Sequence, residues 1–320
     1  MKIGMNTDSL GTLSFETVLD AAVGLGLDCV EFATGNFSNA PHIDIDALLR
    51  SAKARDAFTG AVRERGLKIS ALTCNGNSLH PGASGRAHNK VIRKSIELGS
   101  LIGVDRIILM SGCPGAKGDK HPNWITVAWP PETTEILEWQ WNEVVIPYWR
   151  DLVKFSTARK IRKLCLELHG GQNVYNVETL HRLRKAAGDT VGVNFDPSHL
   201  LWMGANPIAA IEALGPAIFH VHAKDTRIDP KLAGLNSRIE TKVGSRATER
   251  SWNYVTLGYG EPESFWREFC LALRRVGYDG VLSIEHEDVM LSPMEGMRKS
   301  VELLRRVAIF EAASYKLPSF

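Results

Sequence analysis

The chain has 320 residues, of which 44% are hydrophobic and 23% are charged, and its formal net charge is +2. This composition is typical of soluble globular proteins and excludes disordered, collagen-like and coiled-coil chains, while no apolar run reaches the roughly 20 residues of a membrane-spanning helix. The near balance of charges also lacks the broad basic field of nucleic-acid-binding proteins, so neither a membrane nor a nucleic acid is expected as a partner.

Short β-branched runs alternate with longer helical patterns about eight times along the chain. The predicted strands are Lys2–Asn6, Cys29–Phe32, Leu67–Leu72, Arg106–Met110, Lys163–Glu167, Val191–Phe195, Ile218–Val221 and Val281–Ile284. The helical patterns between and after them include Phe15–Leu25, Ile45–Arg65, His88–Ile102, Glu135–Arg159 and Leu291–Ala312. Ser14 is a predicted N-cap, and Gly66 a predicted C-terminal stop.

Strands that alternate with helices predict βαβ units and a parallel sheet. An open doubly wound sheet would carry a glycine-rich phosphate loop after an early strand, and neither GxGxxG nor GxxxxGK[ST] follows any strand here. The sequence therefore favours a (β/α)₈ TIM barrel as a single domain over residues 1–320. Two long loops, Ser111–Thr134 after strand four and Asp225–Pro262 after strand seven, are expected at its C-terminal face as lids or partner surfaces.

The cysteines and the N-terminus bear on the cellular compartment. The five cysteines are scattered and form no CxxC pair, which favours buried, reduced thiols. The opening MKIGMNTDSLG lacks the apolar stretch of a secretory signal. A cytoplasmic location is the expectation.

Four successive predicted strands each end in a carboxylate or an imidazole. The endings are LELH at Glu167, NFDPSH at Asp196, HVHAKD at His222 and SIEHE at Glu285. Closing the barrel brings these strand ends together, and carboxylates so close repel each other unless a cation neutralises them. One divalent metal held by these four residues resolves that conflict.

The ligand set of three carboxylates and one imidazole is rich in oxygen. Mn²⁺ or Mg²⁺ is therefore favoured, with Co²⁺ and Zn²⁺ as alternatives. His220 and His222 share one strand face, and His222 lies nearer the mouth, which leaves His220 one layer deeper. A lone glutamate at a strand end is more often a salt-bridged rim residue. Four residues of metal-ligand type on four adjacent strand ends, however, favour a shared metal site.

The motifs LELHGG, NFDPSH, HVHAKD and SIEHE resemble those of the xylose-isomerase-like barrel superfamily, the sugar-phosphate isomerase/epimerase group. The resemblance covers nearly the whole chain. It implies that Glu167, Asp196, His222 and Glu285 bind one Mn²⁺-type ion. It also implies substrate contacts for His199 and for Arg227, five residues beyond the metal histidine.

The chain departs from the ketose 3-epimerases, which use both metal-bridging glutamates as the acid/base pair, at two places. His169, two residues beyond Glu167 on the same strand face, is the expected base instead, with Glu167 or Glu285 as the fallback. The stretch of residues 118–149 after strand four holds five of the eight tryptophans, and it resembles the catalytic α subunits of bacterial C-glycoside deglycosidases, which pair with a small β subunit. That closer resemblance implies a hetero-oligomer.

The function predicted on this basis is a metal-dependent lyase that acts on 3-keto glycosides. Metal polarisation of a carbonyl would acidify the adjacent C–H, a base would remove the proton, and the aglycone would leave by elimination. The alternative is a sugar (ketose or sugar phosphate) isomerase or epimerase with the same enediolate chemistry.

Substrate contacts are also expected outside the metal quartet. His121 and Trp124 are the candidates in the loop after strand four, and Lys224 could anchor hydroxyl groups or a phosphate. For the helical tryptophans, packing or a subunit interface is an equal alternative to sugar stacking. A nuclease like endonuclease IV, which shares the barrel, is disfavoured by the charge balance.

Overall fold

The computed structural model describes residues 1–315 and contains a closed eight-stranded parallel barrel. The strands, numbered β1 to β10 in chain order, are Lys2–Asn6, Cys29–Ala33, Lys68–Thr73, Arg106–Leu109, Lys163–Glu167, Val191–Phe195, Ile218–Ala223, Asp225–Ile228, Trp252–Val255 and Val281–Ile284. The barrel consists of β1 to β7 and β10, and it closes where β1 pairs with β10. The predicted (β/α)₈ barrel is confirmed, with every predicted strand within two residues of its observed bounds.

The helices surround the barrel. Helices α1 to α12 are Phe15–Gly24, Ile45–Arg50, Ala52–Glu64, Ala83–Ile102, Glu132–Trp139, Ile146–Ala158, Val177–Ala187, Pro197–Met203, Pro207–Leu214, Pro230–Asn236, Glu263–Arg275 and Pro293–Val307. Ser14 caps α1 by accepting the backbone N–H of Thr17, as predicted. Gly66 has a φ of +73° just beyond α3, which is why glycine suits this stop.

The single helix predicted over residues 45–65 is wrong, because the chain breaks at Ser51. This residue is extended, with φ −125° and ψ 116°, and its hydroxyl accepts the N–H of Ala54 at the start of α3. A serine that offers the backbone this bond competes with a continuous helix.

The helix predicted over residues 135–159 runs instead from Glu132 to Ala158 and contains a π turn over Gln140–Val145. Inside this turn Gln140 is buried and donates to the carbonyls of the preceding loop. Trp141 and Trp149 are also fully buried. Packing therefore accounts for both of these tryptophans.

The segment predicted as a long loop after β7 has its own structure. Strands β8 and β9 form an antiparallel hairpin outside the barrel. The buried carboxylate of Asp225 accepts the backbone N–H groups of Gly258, Gly260 and Glu261, which fastens the base of the segment. This hairpin brings Tyr254 over the mouth of the barrel.

Two layers fill the barrel interior. Ala71, Ile108 and Cys165 form an apolar layer, and polar side chains follow toward the C-terminal end of the strands. All five cysteines are free and buried, as expected. Within the described residues, no helix is long and apolar enough to cross a membrane.

Candidate metal centre and active site

The alternation of side chains along each strand creates the polar layer. On β7, His220 and His222 are two residues apart and therefore lie on the same strand face, which is the one that points into the barrel. Ser283 on β10 and Glu285, two residues further along, share the inward face in the same way. Glu167 at the end of β5 and Asp196 just beyond β6 obey the same rule. The two histidines, Glu167 and Asp196 are at most 2% exposed.

The four residues of the predicted quartet lie together. Glu167, Asp196, His222 and Glu285 each offer one ligand atom, and these atoms all lie within 4.8 Å of one another. Nδ1 of His222 is 3.4 Å from Oε2 of Glu167 and 3.4 Å from Oε2 of Glu285. Three carboxylates and one imidazole thus converge at the C-terminal end of the barrel.

The donor set fits a divalent cation. Nδ1 of His222 and Oδ2 of Asp196 are buried and have no hydrogen-bond partner among residues 1–315. Buried polar atoms are nearly always paired, so two unpaired atoms that face the same point are consistent with ligands for an ion. Two further groups of potential ligands cluster nearby, Glu31–His220–His222 and Glu167–His169–His199. Each contains one member of the quartet, so neither is an independent site.

Glu31 on β2 holds the other side of the His222 ring. Its carboxylate is fully buried and accepts from Nε2 of His222, 3.0 Å from Oε1, and from the hydroxyls of Thr73 and Ser283. Burial opposes ionisation of Glu31, but His222 lowers its pKa below the usual value. A carboxylate in this position fixes the tautomer and orientation of a metal-binding histidine.

His199 lies at the edge of the quartet, with Nε2 3.0 Å from Oε1 of Glu167 and 3.3 Å from Oδ2 of Asp196. Nδ1 of its ring is 2.9 Å from the hydroxyl of Tyr254 on β9. Burial opposes protonation of His199, but Tyr254 and the two carboxylates raise its pKa well above the usual value. The predicted substrate-binding histidine therefore contacts two members of the quartet.

Lys224 is paired with two carboxylates that follow the last barrel strand. Its Nζ is 3.0 Å from Oε2 of Glu285 and 2.6 Å from Oε2 of Glu287, and the ammonium lies 4.2 Å from the centroid of the Tyr254 ring. Burial opposes its charge, but Glu285 and Glu287 raise its pKa well above the usual value. Lys224 therefore remains a cation.

A cavity of about 270 Å³ opens beside the quartet, and His169 lines it together with Glu167, His199 and Lys224. Burial lowers the pKa of His169 to about 4, and the neighbouring His199 acts in the same direction. Its Nδ1 contacts the carbonyl of Gly170, which assigns the proton to Nδ1. The lone pair of Nε2 is then left to accept a proton.

Three residues predicted to contact substrate do not line this cavity. Arg227 is exposed, since β8 belongs to the outer hairpin and turns this side chain to solvent. His121 is exposed in the loop after β4. Trp124 packs edge to face on Tyr175, with ring centroids 5.5 Å apart, and lines a separate cavity of about 450 Å³.

Two residues of the site were missed by sequence reasoning. Glu31 is the only charged residue of the buried strand CVEFA and stands at its centre rather than at the strand end that identified the quartet, so its one signal was a charge inside a buried strand. Tyr254 carried no signal, because the hairpin that positions it lies inside a segment predicted as a loop.

The sequence matches a known protein family. The family model described as Xylose isomerase-like TIM barrel matches residues 19–307 of this chain. The uncharacterized protein YfiH of Bacillus subtilis (strain 168) is 48% identical over 309 residues, which cover 96% of this chain and 99% of YfiH. Both matches extend over most of the barrel, including all four residues of the quartet.

Solved structures with the same fold are much more distant in sequence. The probable 3-DHS dehydratase AsbF of Bacillus anthracis has a TM-score of 0.68 at 15% identity, covering 95% of this chain and 99% of that chain. A D-tagatose 3-epimerase-like protein has a TM-score of 0.64 at 19% identity, covering 96% of this chain and 98% of that chain. At these identities the similarity concerns the fold.

Proposed function

The chain belongs to the Xylose isomerase-like TIM barrel family, and on that premise we propose that it is a divalent-metal-dependent enzyme that isomerises or epimerises a sugar. The observation that carries the proposal is the convergence of Glu167, Asp196, His222 and Glu285 within 4.8 Å at the cavity. An epimerase-like protein among the structures of the same fold supports the direction of the proposal.

The quartet would hold the metal, and its oxygen-rich donor set favours Mn²⁺. A divalent cation held by these four residues would supply Lewis acidity, which would polarise a sugar carbonyl and acidify the adjacent C–H bond. Glu31 orients His222 from behind through the 3.0 Å contact to Nε2.

Proton transfer is assigned to groups that face the cavity. Hydrogen bonds hold the pKa of Glu167 well below its usual value, and Lys224 does the same for Glu285, although burial opposes both shifts. Both carboxylates are therefore ionised at neutral pH and able to accept a proton from carbon. Reprotonation of the same carbon from the opposite face, by a proton exchanged with water, gives an epimer, and reprotonation of the neighbouring carbon gives an isomer.

Positioning of the substrate is assigned to His199 and Lys224. His199 is fixed between Glu167 and the hydroxyl of Tyr254, which leaves a rigid polar surface beside the metal position. Lys224 stays paired with Glu285 and Glu287 and acts on the substrate only through its positive charge at the cavity wall, which favours the negative charge that develops as the proton leaves.

A second candidate is elimination from a 3-keto glycoside, as in the deglycosidase α subunits. The observation that favours it is His169, which lines the cavity and whose Nε2 has no hydrogen-bond partner among residues 1–315, while burial lowers the pKa of the ring and keeps it neutral. His169 would remove the proton from carbon 2, the bond from carbon 1 to the aglycone would break, and its electrons would leave with the aglycone. This candidate implies a small β subunit, which co-purification from the native host tests.

Exchange of substrate hydrogen with deuterium separates the two functions. The metal-loaded protein is incubated in D₂O with free ketoses and, in parallel, with 3-keto O- and C-glucosides. Epimerisation or isomerisation predicts deuterium at the carbon next to the carbonyl of a ketose and loss of the exchange with EDTA. Release of an aglycone without ketose exchange would establish the second candidate instead, and no exchange in either series would contradict the proposed function.

A further inference from the structure

The cavity beside the quartet is rich in negative charge. Asp8, Glu167, Glu285 and Glu287 line it, and Asp196 lies at its floor. Within residues 1–315, the only lysine or arginine in its lining is Lys224. Even when His199, which also lines the cavity, is protonated, the five carboxylates exceed the four positive charges that His199, Lys224 and a bound divalent cation would contribute together.

Lys224 is not free to receive an anion. Its ammonium contacts Oε2 of Glu285 at 3.0 Å and Oε2 of Glu287 at 2.6 Å, and the Tyr254 ring covers it. The side chain is 3% exposed, so a phosphate could reach Nζ only by displacing one of the two carboxylates. Glu287, whose side chain is 50% exposed, is the outer of these two partners.

The part of the barrel that often binds phosphate is occupied by the chain itself. TIM barrels commonly hold phosphate on backbone N–H groups of the loops after their seventh and eighth strands. After β7, the N–H groups of Thr226, Gly258, Gly260 and Glu261 all donate to the carboxylate of Asp225, at 2.8 to 3.2 Å. Asp225 is fully buried, so an internal anion fills this cradle.

We infer that the substrate of this site is an uncharged sugar and that the site rejects its phosphate esters. This inference rests on the proposed function. The carboxylate excess repels a dianion, the one lysine is already paired, and the N–H cradle is filled. Glu287 determines this specificity at the mouth of the cavity, because it adds negative charge and also holds Lys224.

The test compares a free ketohexose with its terminal phosphate ester on the Mn²⁺-loaded protein. We expect kcat/KM for the free sugar to exceed that for the ester by about 100-fold or more, since like charges at a binding site cost several kcal/mol. Glu287→Gln is expected to improve kcat/KM for the ester at least about tenfold, by removing one negative charge and one of the two carboxylate partners of Lys224. Glu64→Gln, on the exposed end of α3, is the matched control and should leave the ratio unchanged.

Binding measured by calorimetry keeps the inference testable without turnover. Tighter binding of the free sugar than of its ester supports the inference even if neither is turned over, although absence of turnover would contradict the proposed function. A preference for the ester, in binding or in kcat/KM, would overturn the inference and leave an isomerase or epimerase of sugar phosphates. No change of the ratio in Glu287→Gln would overturn the role of Glu287.

Discussion

Glu31 and His222 form a buried pair in which the carboxylate contacts Nε2 of the imidazole ring, while Nδ1 faces the other members of the quartet. Nε2 of His222 lies 3.0 Å from Oε1 of Glu31, whereas Nδ1 faces Glu167 and Glu285 at 3.4 Å. Neither Glu31 nor His222 has any exposed surface. This pair orients the imidazole before any ion arrives, which is the usual function of a carboxylate behind a metal ligand.

Replacement of Glu31 should therefore weaken metal binding without unfolding the barrel. In Glu31→Gln, the amide oxygen can still accept from Nε2, but the negative charge that favours a basic Nδ1 is gone. We expect the Kd for Mn²⁺, measured by calorimetry, to rise about 10- to 100-fold. Glu302→Gln on the exposed face of α12 is the control, and an affinity for Mn²⁺ equal to that of the unmodified protein would show that Glu31 has no such function.

Metal affinity should also depend on pH. Burial opposes protonation of His222, but Glu31 and Glu285 raise its pKa well above the usual value. A metal must displace the proton from Nδ1, so the affinity should increase with pH until the pH passes that raised pKa, by about tenfold per unit for one displaced proton. Titrations between pH 5.5 and 8, with circular dichroism to confirm folding at each pH, measure this slope, and a flat profile would contradict the assignment of Nδ1 as a ligand.

His169 provides a test of the base. Its ring centroid lies 4.2 Å from that of His199, and it lines the cavity without belonging to the quartet. If its Nε2 removes the substrate proton, His169→Ala should lower kcat by about 10²- to 10⁴-fold while the Kd for Mn²⁺ stays unchanged. His181→Ala, at an exposed position of α7, is the matched control. If the kcat of His169→Ala stays within threefold of that of this control, the base is Glu167 or Glu285.

The tryptophans after β4 separate into packing and surface residues. Trp149 is fully buried and donates from Nε1 to the carbonyl of Ser111 at 2.9 Å, whereas Trp129 is 77% exposed. Trp149→Ala should lower the free energy of unfolding by about 3–5 kcal/mol, and Trp129→Ala by no more than about 0.5 kcal/mol. Denaturant unfolding measures both, and equal losses would mean that the surface segment around Trp129 is packed.

The barrel and the placement of the quartet could be predicted from sequence because both follow from short-range rules. Strand bounds follow from β-branched runs, and the quartet follows from its position at strand ends, where a parallel barrel gathers side chains. Glu31 stands at the centre of β2, where the rule of strand ends does not apply, and its signal is a single charge inside a buried strand.

Other parts of the site depend on long-range packing, which a local pattern does not contain. Tyr254 reaches His199 only because β8 and β9 pair and Asp225 fastens the base of their connection. The π turn that buries Trp141 likewise depends on the contacts of Gln140 with the preceding loop. The same hairpin explains why Arg227, predicted to touch substrate, is exposed.

Metal stoichiometry in the unmodified protein and in Asp196→Asn shows whether the quartet binds a divalent ion. Asparagine can retain the helix cap that Asp196 provides to the N–H of Ser198, so the variant removes a ligand charge and leaves α8 intact. We expect about one divalent ion per chain in the unmodified protein and a loss of at least about tenfold in affinity in the variant. A folded unmodified protein that binds no divalent ion, or a variant that binds it equally well, would contradict the account.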